Sequence, residues 1–404
     1  MTTRVIKNIS ELTTNDPTIG GGVAGRVHDA AMVIDDARVL WVGANADAPA
    51  ADEMIDARHS AVIPGFVDSH THLVFAGERS EEFEARMNGT PYDGGGIATT
   101  VAATRAASTD ELRRTTERRR RELRAGGVTT VEIKSGYALN LEGESRLIDV
   151  ASEFSDEVTF LGAHAVPAEY ADDRDGYLEL VRGPMLEQCA ARSKWADVFC
   201  DRGAFDVDES RAILTAARAA GLQLRVHGNQ LGATGGVALA VELDAASVDH
   251  CNFLSDDDIE QLRASHTVAT LLPGADFSTR ADYSSARRLG ERGAVVALAT
   301  DCNPGTSYVT SMAFVIAIAV RDMRMDVDDA LWSATRGGAL ALRRSDVGHL
   351  GVGARADLLI LDAPRAAHLA YRPGASIVRE VIDVPGERPS TGWFSDARGR
   401  KNNV

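Results

Sequence analysis

Eight short β-rich runs, separated by stretches of helical periodicity and mostly finishing in polar residues, constrain this chain more than any other feature. They cover 61–72, 128–137, 158–166, 195–203, 222–230, 246–251, 267–274 and 295–303. Helical periodicity covers 109–125, 209–220, 236–243, 256–265 and 326–342, the first introduced by Ser108 with Glu111 at capping-box spacing. This alternation predicts an α/β fold, a closed parallel (β/α)8 TIM-like barrel, with a doubly wound open sheet as the lesser alternative. In a barrel, chemistry gathers at the C-terminal ends of the strands.

The flanks read differently. Residues 1–62 hold short strand-like pieces at 31–34 and 39–42 between Gly-, Asp- and Ala-rich turns, and 346–404 repeats that texture around 357–361. We expect both ends to join in one small β-sandwich domain beside a hydrolase barrel at 63–345, two independent terminal caps being the alternative.

Composition narrows the function classes. A net charge of −16 disfavours nucleic acid or an anionic membrane as partner, so an anionic small molecule would need a local cation, with arginine the expected source. The apolar helix candidate at 312–320 is too short to span a bilayer, and the N-terminus lacks the form of a signal peptide, so cytoplasmic residence is the expectation. Cys189, Cys200, Cys251 and Cys302 lie far apart without Cys-x-x-Cys spacing and read as buried thiols.

The predicted strand ends supply His70 and His72, His164, His227, His250 and Asp301. On a strand, the His70-Thr71-His72 spacing puts both imidazoles on one face. Three imidazoles and a carboxylate can hold one divalent cation and leave a position for water, and the set chosen is His70, His72, His227 and Asp301. Such a cation lowers the pKa of water from about 16 toward roughly 7. Asp301 is then the expected proton carrier, with His250 bonding the water or the oxygen that becomes negative. The fourth strand, Trp195 to Asp201, offers no bridging lysine; Lys134 lies on the second, where a salt bridge is its plain role, so one metal is expected. Which metal, Zn2+ or Fe2+/Fe3+, this donor set leaves open.

Several motifs resemble the amidohydrolase superfamily. They are Pro64 to His72 continuing through Leu73-Val74-Phe75-Ala76-Gly77-Glu78-Arg79, then Gly94-Gly95-Gly96-Ile97, Lys134-Ser135-Gly136-Tyr137, Gly162-Ala163-His164-Ala165-Val166-Pro167, and Leu298 through Asp301-Cys302-Asn303-Pro304-Gly305-Thr306. Within that superfamily the resemblance implies hydrolysis of 4-imidazolone-5-propanoate to N-formimino-L-glutamate with one zinc or iron ion, in a homodimer. It also implies that Arg79, Tyr137, His164, Gln230, Asn303, Gly305 and Thr306 contact substrate or product. Arg79 suits a two-point contact with the propionate carboxylate, although an ion pair within the following Ser80-Glu81-Glu82 segment is its alternative. A sister amidohydrolase acting on another heterocycle is the rival reading, and a non-catalytic barrel the distant one. One departure stands out: Gly228-Asn229-Gln230 follows His227 where many relatives carry Ala-Asp-Glu. Glutamine orients a ligand but cannot shuttle a proton, which leaves Asp301 and His250 to do so.

Overall fold

A computed structural model describes residues 2–90 and 96–384. The Gly94-Gly95 part of one motif and the segment 385–404 assigned to the β domain lie outside the described residues. Four strands come first: β1 (Arg4–Thr13), β2 (Arg26–Ile34), β3 (Val39–Ala44) and β4 (Glu53–Pro64). Eight follow: β5 (Phe66–Asp68), β6 (Val128–Lys134), β7 (Glu157–Ala163), β8 (Trp195–Cys200), β9 (Gln223–Gly228), β10 (Ser247–His250), β11 (Val268–Leu271) and β12 (Val296–Leu298). Last are β13 (Leu358–Leu361) and β14 (Val378–Ile382).

Strands β5 to β12 pair in chain order as one eight-stranded parallel sheet, as the alternating pattern predicted. Between β5 and β12 the ladder gives way to a seam. Asp68 closes it by accepting bonds from the Thr300 amide at 3.0 Å and the Thr300 hydroxyl at 2.7 Å. Beyond the strands, the Asp301 amide donates to the His70 carbonyl and the His72 amide to the Cys302 carbonyl, both at 3.0 Å. The seam is therefore stitched at the end that carries the histidines.

The six remaining strands form a single mixed sheet in the order β14-β13-β4-β1-β2-β3, built from both chain ends. One apolar cluster takes Ile6, Ile9, Met32, Val39, Val62, Leu358, Ile360 and Ile382 from all of these strands, so the sheet has a core of its own. Register shifts interrupt the β1/β4 pairing.

Two runs fold differently from expectation. The run 61–72 divides between two sheets, because at Gly65 the chain leaves β4 for the barrel: its amide donates to Asp357 of the β domain, and the Phe66 amide donates to Gly127 at the foot of β6. Apolar patterning is blind to this, since both halves are buried. The helix expected at 326–342 is broken into Val327–Trp332, a π-helical turn Ser333–Gly337 and Gly338–Ala341. The turn packs against both seam strands. A Cβ on Gly337 would lie 2.3 Å from the Val296 carbonyl oxygen of β12, and one on Gly338 2.2 Å from the Val67 carbonyl oxygen of β5. Two adjacent glycines thus let this turn press against the seam as closely as backbone permits. Gly338→Ala is expected to destabilise the fold by about 1–3 kcal/mol in urea unfolding, because the obstacle is main chain and cannot swing aside.

Candidate metal centre and substrate cavity

His70 and His72 follow β5, His227 lies on β9 and Asp301 follows β12, and the fold brings all four together, each nearly or fully buried. The Nε2 atoms of His70 and His72 are 3.3 Å apart, and those of His72 and His227 3.4 Å. Asp301 Oδ1 faces His70 Nε2 at 3.5 Å and His72 Nε2 at 3.6 Å. His250 joins the group, its ligand atom lying within 4.8 Å of those of His70 and His227.

On the far side of two of these rings, His70 and His227, a carboxylate decides what the inward nitrogen presents. Asp249 Oδ2 lies 2.7 Å from His70 Nδ1, and Asp197 Oδ2 lies 2.9 Å from His227 Nδ1. A carboxylate at Nδ1 fixes the proton there and leaves Nε2 a lone pair aimed inward. Burial, reinforced by neighbouring charge, holds His70, His72 and His250 well below the ordinary imidazole pKa, so these rings are neutral. Lone pairs converging with a carboxylate oxygen at these distances repel one another unless a cation lies among them. The donor set fits one divalent metal ion of the zinc or iron(II) kind.

The orienting carboxylates are themselves compensated. Lys134 Nζ lies 2.8 Å from Asp197 Oδ2 and 2.9 Å from Glu132 Oε1, and Arg225 Nη2 lies 3.1 Å from Asp249 Oδ2. Burial opposes ionisation of Asp197, but His227 and Lys134 outweigh it and hold the carboxyl well below the usual range. For Asp249, Arg225 and Lys134 likewise overcome burial. Lys134 has the salt-bridge role expected of it, so the His70, Asp197 and Asp249 cluster already has its cations.

Above this layer opens a cavity of about 380 Å³, lined by His72, Arg79, Tyr137, His164, His227, Gln230, His250, Asp301, Asn303, Gly305 and Thr306 among others. His70 sits beneath it. His164 Nδ1 donates to the Gly136 carbonyl at 2.9 Å, leaving Nε2 as an acceptor, and its ring stacks on His72 with centroids 5.3 Å apart. Burial lowers its pKa to about 3. Asp301, His250 and Asn229 have φ of 52°, 82° and 56°, so three rim positions hold backbone that side-chain-bearing residues rarely adopt.

Two of the expected ligand contacts are partly occupied within the protein. Arg79 donates from Nε and Nη2 to Glu82 at 2.8 and 2.6 Å, the ion pair named as its alternative. The fork is bedded between two backbones: a Cβ on Gly96 would lie 2.1 Å from Arg79 Nη2, and one on Gly305 2.3 Å from Nη1. Asn303 accepts the amides of Gly305 and Thr306 at 2.8 and 2.7 Å and donates to the Asp301 carbonyl at 2.7 Å. It shapes the loop that carries Asp301, while Thr306 Oγ1 lies 3.4 Å from Asp301 Oδ2.

Residues 93–382 match the model of the amidohydrolase family. The chain is 60% identical over 382 residues to imidazolonepropionase of Mycolicibacterium smegmatis, covering 95% of this chain and 96% of that one. With imidazolonepropionase of Streptomyces griseus it shares 58% identity, covering 94% and 98%. The chain belongs to the imidazolonepropionase family of amidohydrolases. Among solved structures, a triazine hydrolase variant superposes with a TM-score of 0.71 at 17% identity, over 95% of this chain and 93% of that one. An adenosine deaminase from Xanthomonas campestris with bound zinc gives 0.67 at 17%, over 94% and 91%. At that identity these show a shared fold.

Within this family member, the residues that sequence reading missed are Asp197, Asp249 and Arg225: the carboxylates lie against His227 and His70, and Arg225 against Asp249. Each was visible as a charged residue inside an apolar strand run, where a side chain pointing into the barrel needs a partner. Asp249→Asn is expected to weaken zinc affinity by about 10–100-fold, measured by chelator competition, with circular dichroism unchanged.

Proposed function

We propose that this chain hydrolyses the cyclic amide C–N bond of 4-imidazolone-5-propanoate to N-formimino-L-glutamate, in histidine degradation. The observation that carries this reading is the 60% identity, across nearly the whole of both chains, to a protein named imidazolonepropionase. Four free, buried cysteines suit a reducing compartment, and we read the enzyme as a cytoplasmic homodimer acting on a small molecule.

His70, His72, His227 and Asp301 would hold one Zn2+ or Fe2+/Fe3+ ion. When bound, it supplies Lewis acidity and a water acidic enough to be deprotonated near neutral pH. The chain's own groups do the rest. Asp301 takes the proton of the attacking water on Oδ2, the oxygen facing Thr306, and delivers it to the ring nitrogen as the C–N bond breaks. His250 Nδ1 has no partner among the described residues and donates to the carbonyl oxygen as it becomes negative. His164 Nε2, an acceptor by its tautomer, takes a ring N–H, beside Tyr137. Gln230 presents its amide to the ring, while Arg79, Asn303, Gly305 and Thr306 form the wall that receives the other polar end.

Hydrolysis of freshly generated 4-imidazolone-5-propanoate, followed by loss of its absorbance, is expected to vanish on chelation and return with zinc or iron. Asp301→Asn, unable to carry the proton, is expected to lower kcat by at least about 10²-fold, the lower end of general acid–base contributions. No turnover by wild-type chain carrying bound metal would point to a sister amidohydrolase with another cyclic substrate.

A further inference from the structure

Resting on that reading, a further residue of the cavity can be given a role. Arg202 lies immediately beyond β8, lines the cavity and is exposed at its mouth. Among the described residues, no hydrogen bond or ion pair engages its guanidinium. Its base is fixed: Asp201 Oδ1 accepts the Arg202 amide at 2.7 Å, while Asp201 Oδ2 accepts those of Gln230 and Leu231 at 2.6 and 2.9 Å. One carboxylate therefore sets Arg202 and Gln230 in register. Its tip is directed as well, because a Cβ on Gly232 would lie 2.7 Å from Cζ, Nε and Nη2. The guanidinium rests on bare backbone that a larger residue would block.

The charge balance around the cavity singles this residue out. Arg79, the other arginine on its walls, has its Nε–Nη2 edge taken by Glu82, so that pair presents little net charge to an approaching anion. Counting positions around the barrel, β8 is fourth and β12 eighth, so Arg202 stands across the mouth from the Asp301–Thr306 loop. The chain carries a net charge of −16, and the proposed substrate is an anion. Without an uncompensated cation at the entrance, the long-range field would slow its arrival.

We propose that Arg202 is the capture residue for the propionate carboxylate. It draws the anion into the mouth and sets the preference for an imidazolone bearing a carboxylate, while Arg79, Gln230 and His164 position what has arrived. Arg202 acts on binding and not on the chemical step.

The test compares wild type, Arg202→Gln and Arg202→Lys as zinc-loaded full-length protein, at low and at physiological salt. Expected for R202Q is a fall in kcat/KM of about tenfold or more with kcat changed less than about twofold, and a flatter salt dependence of kcat/KM. R202K should keep the salt dependence, and turnover of the neutral propanamide analogue should be equal in wild type and R202Q. Unchanged kcat/KM and salt dependence in R202Q would overturn the proposal, as would a loss confined to kcat. Calorimetric binding of imidazole-4-propionate against its amide separates this from the reaction assignment. If wild type binds the acid preferentially and R202Q does not, capture stands even where no turnover is found; if R202Q keeps the preference, capture fails even where turnover is normal.

Discussion

The structure depends on a buried layer of charge beneath the imidazoles. Glu132, Asp197 and Asp249 face Lys134 and Arg225 with none of the five more than 1% exposed, three carboxylates against two cations. Charges removed from water this completely are stable only when paired and hydrogen-bonded on every side. Donors from several strands meet most of that requirement: Glu132 also accepts the Thr71 amide at 3.0 Å and the Thr159 hydroxyl, and Arg225 donates to the Ser69 carbonyl at 2.7 Å, while Arg225 Nε has no hydrogen-bond partner among the described residues. Burial raises the Glu132 pKa, so the carboxylates most firmly held as anions are Asp197 and Asp249, the two that face Lys134 and Arg225.

The same layer reaches the seam, where main-chain bonds join Asp301 to His70 and His72 to Cys302 just beyond β12 and β5. Side-chain bonds from Asp68 to Thr300 replace part of the ladder, and Gly337-Gly338 cover the seam from outside. Arg225 ties the two arrangements together, since it also donates to the Ala341 carbonyl of the covering helix at 2.9 Å. Stability of the seam and orientation of His70 through Asp249 thus share one side chain.

The barrel was legible because its strands are buried on both sides and end in polar residues, a pattern independent of tertiary detail. The helix at 109–125 was legible through its start at Ser108, and those expected at 209–220 and 256–265 through periodicity; the caps Asp206 and Ser255, which accept first-turn amides, set the latter two at 207–219 and 256–263. That His70, His72, His227 and Asp301 would converge could be read because histidine and aspartate at strand ends have few competing uses in combination. What stayed hidden depends on pairings distant in sequence. The break at Gly65 reflects which sheet supplies its hydrogen-bond partner, and nothing local to 61–72 encodes Asp357 or Gly127. Asp197 and Asp249 reach His227 and His70 only once four strands are placed side by side.

Arg79 and Asn303 show a different limit. Their residue types suit ligand recognition, yet the same donors and acceptors suit loop construction, and the structure commits much of both to construction. A side chain that makes two strong internal bonds is held in one rotamer, so what it has left to offer is narrow in direction. Arg79 keeps Nη1 near Gly305, and Asn303 fixes the turn from which Thr306 meets Asp301. On the proposed mechanism the rigidity of this wall matters more than the number of its free donors, because a displaced Asp301 would lose its line to the reacting nitrogen. The Asp301–Thr306 side is thus bonded into itself, while across the mouth the Arg202 guanidinium is left without a hydrogen bond or ion pair among the described residues.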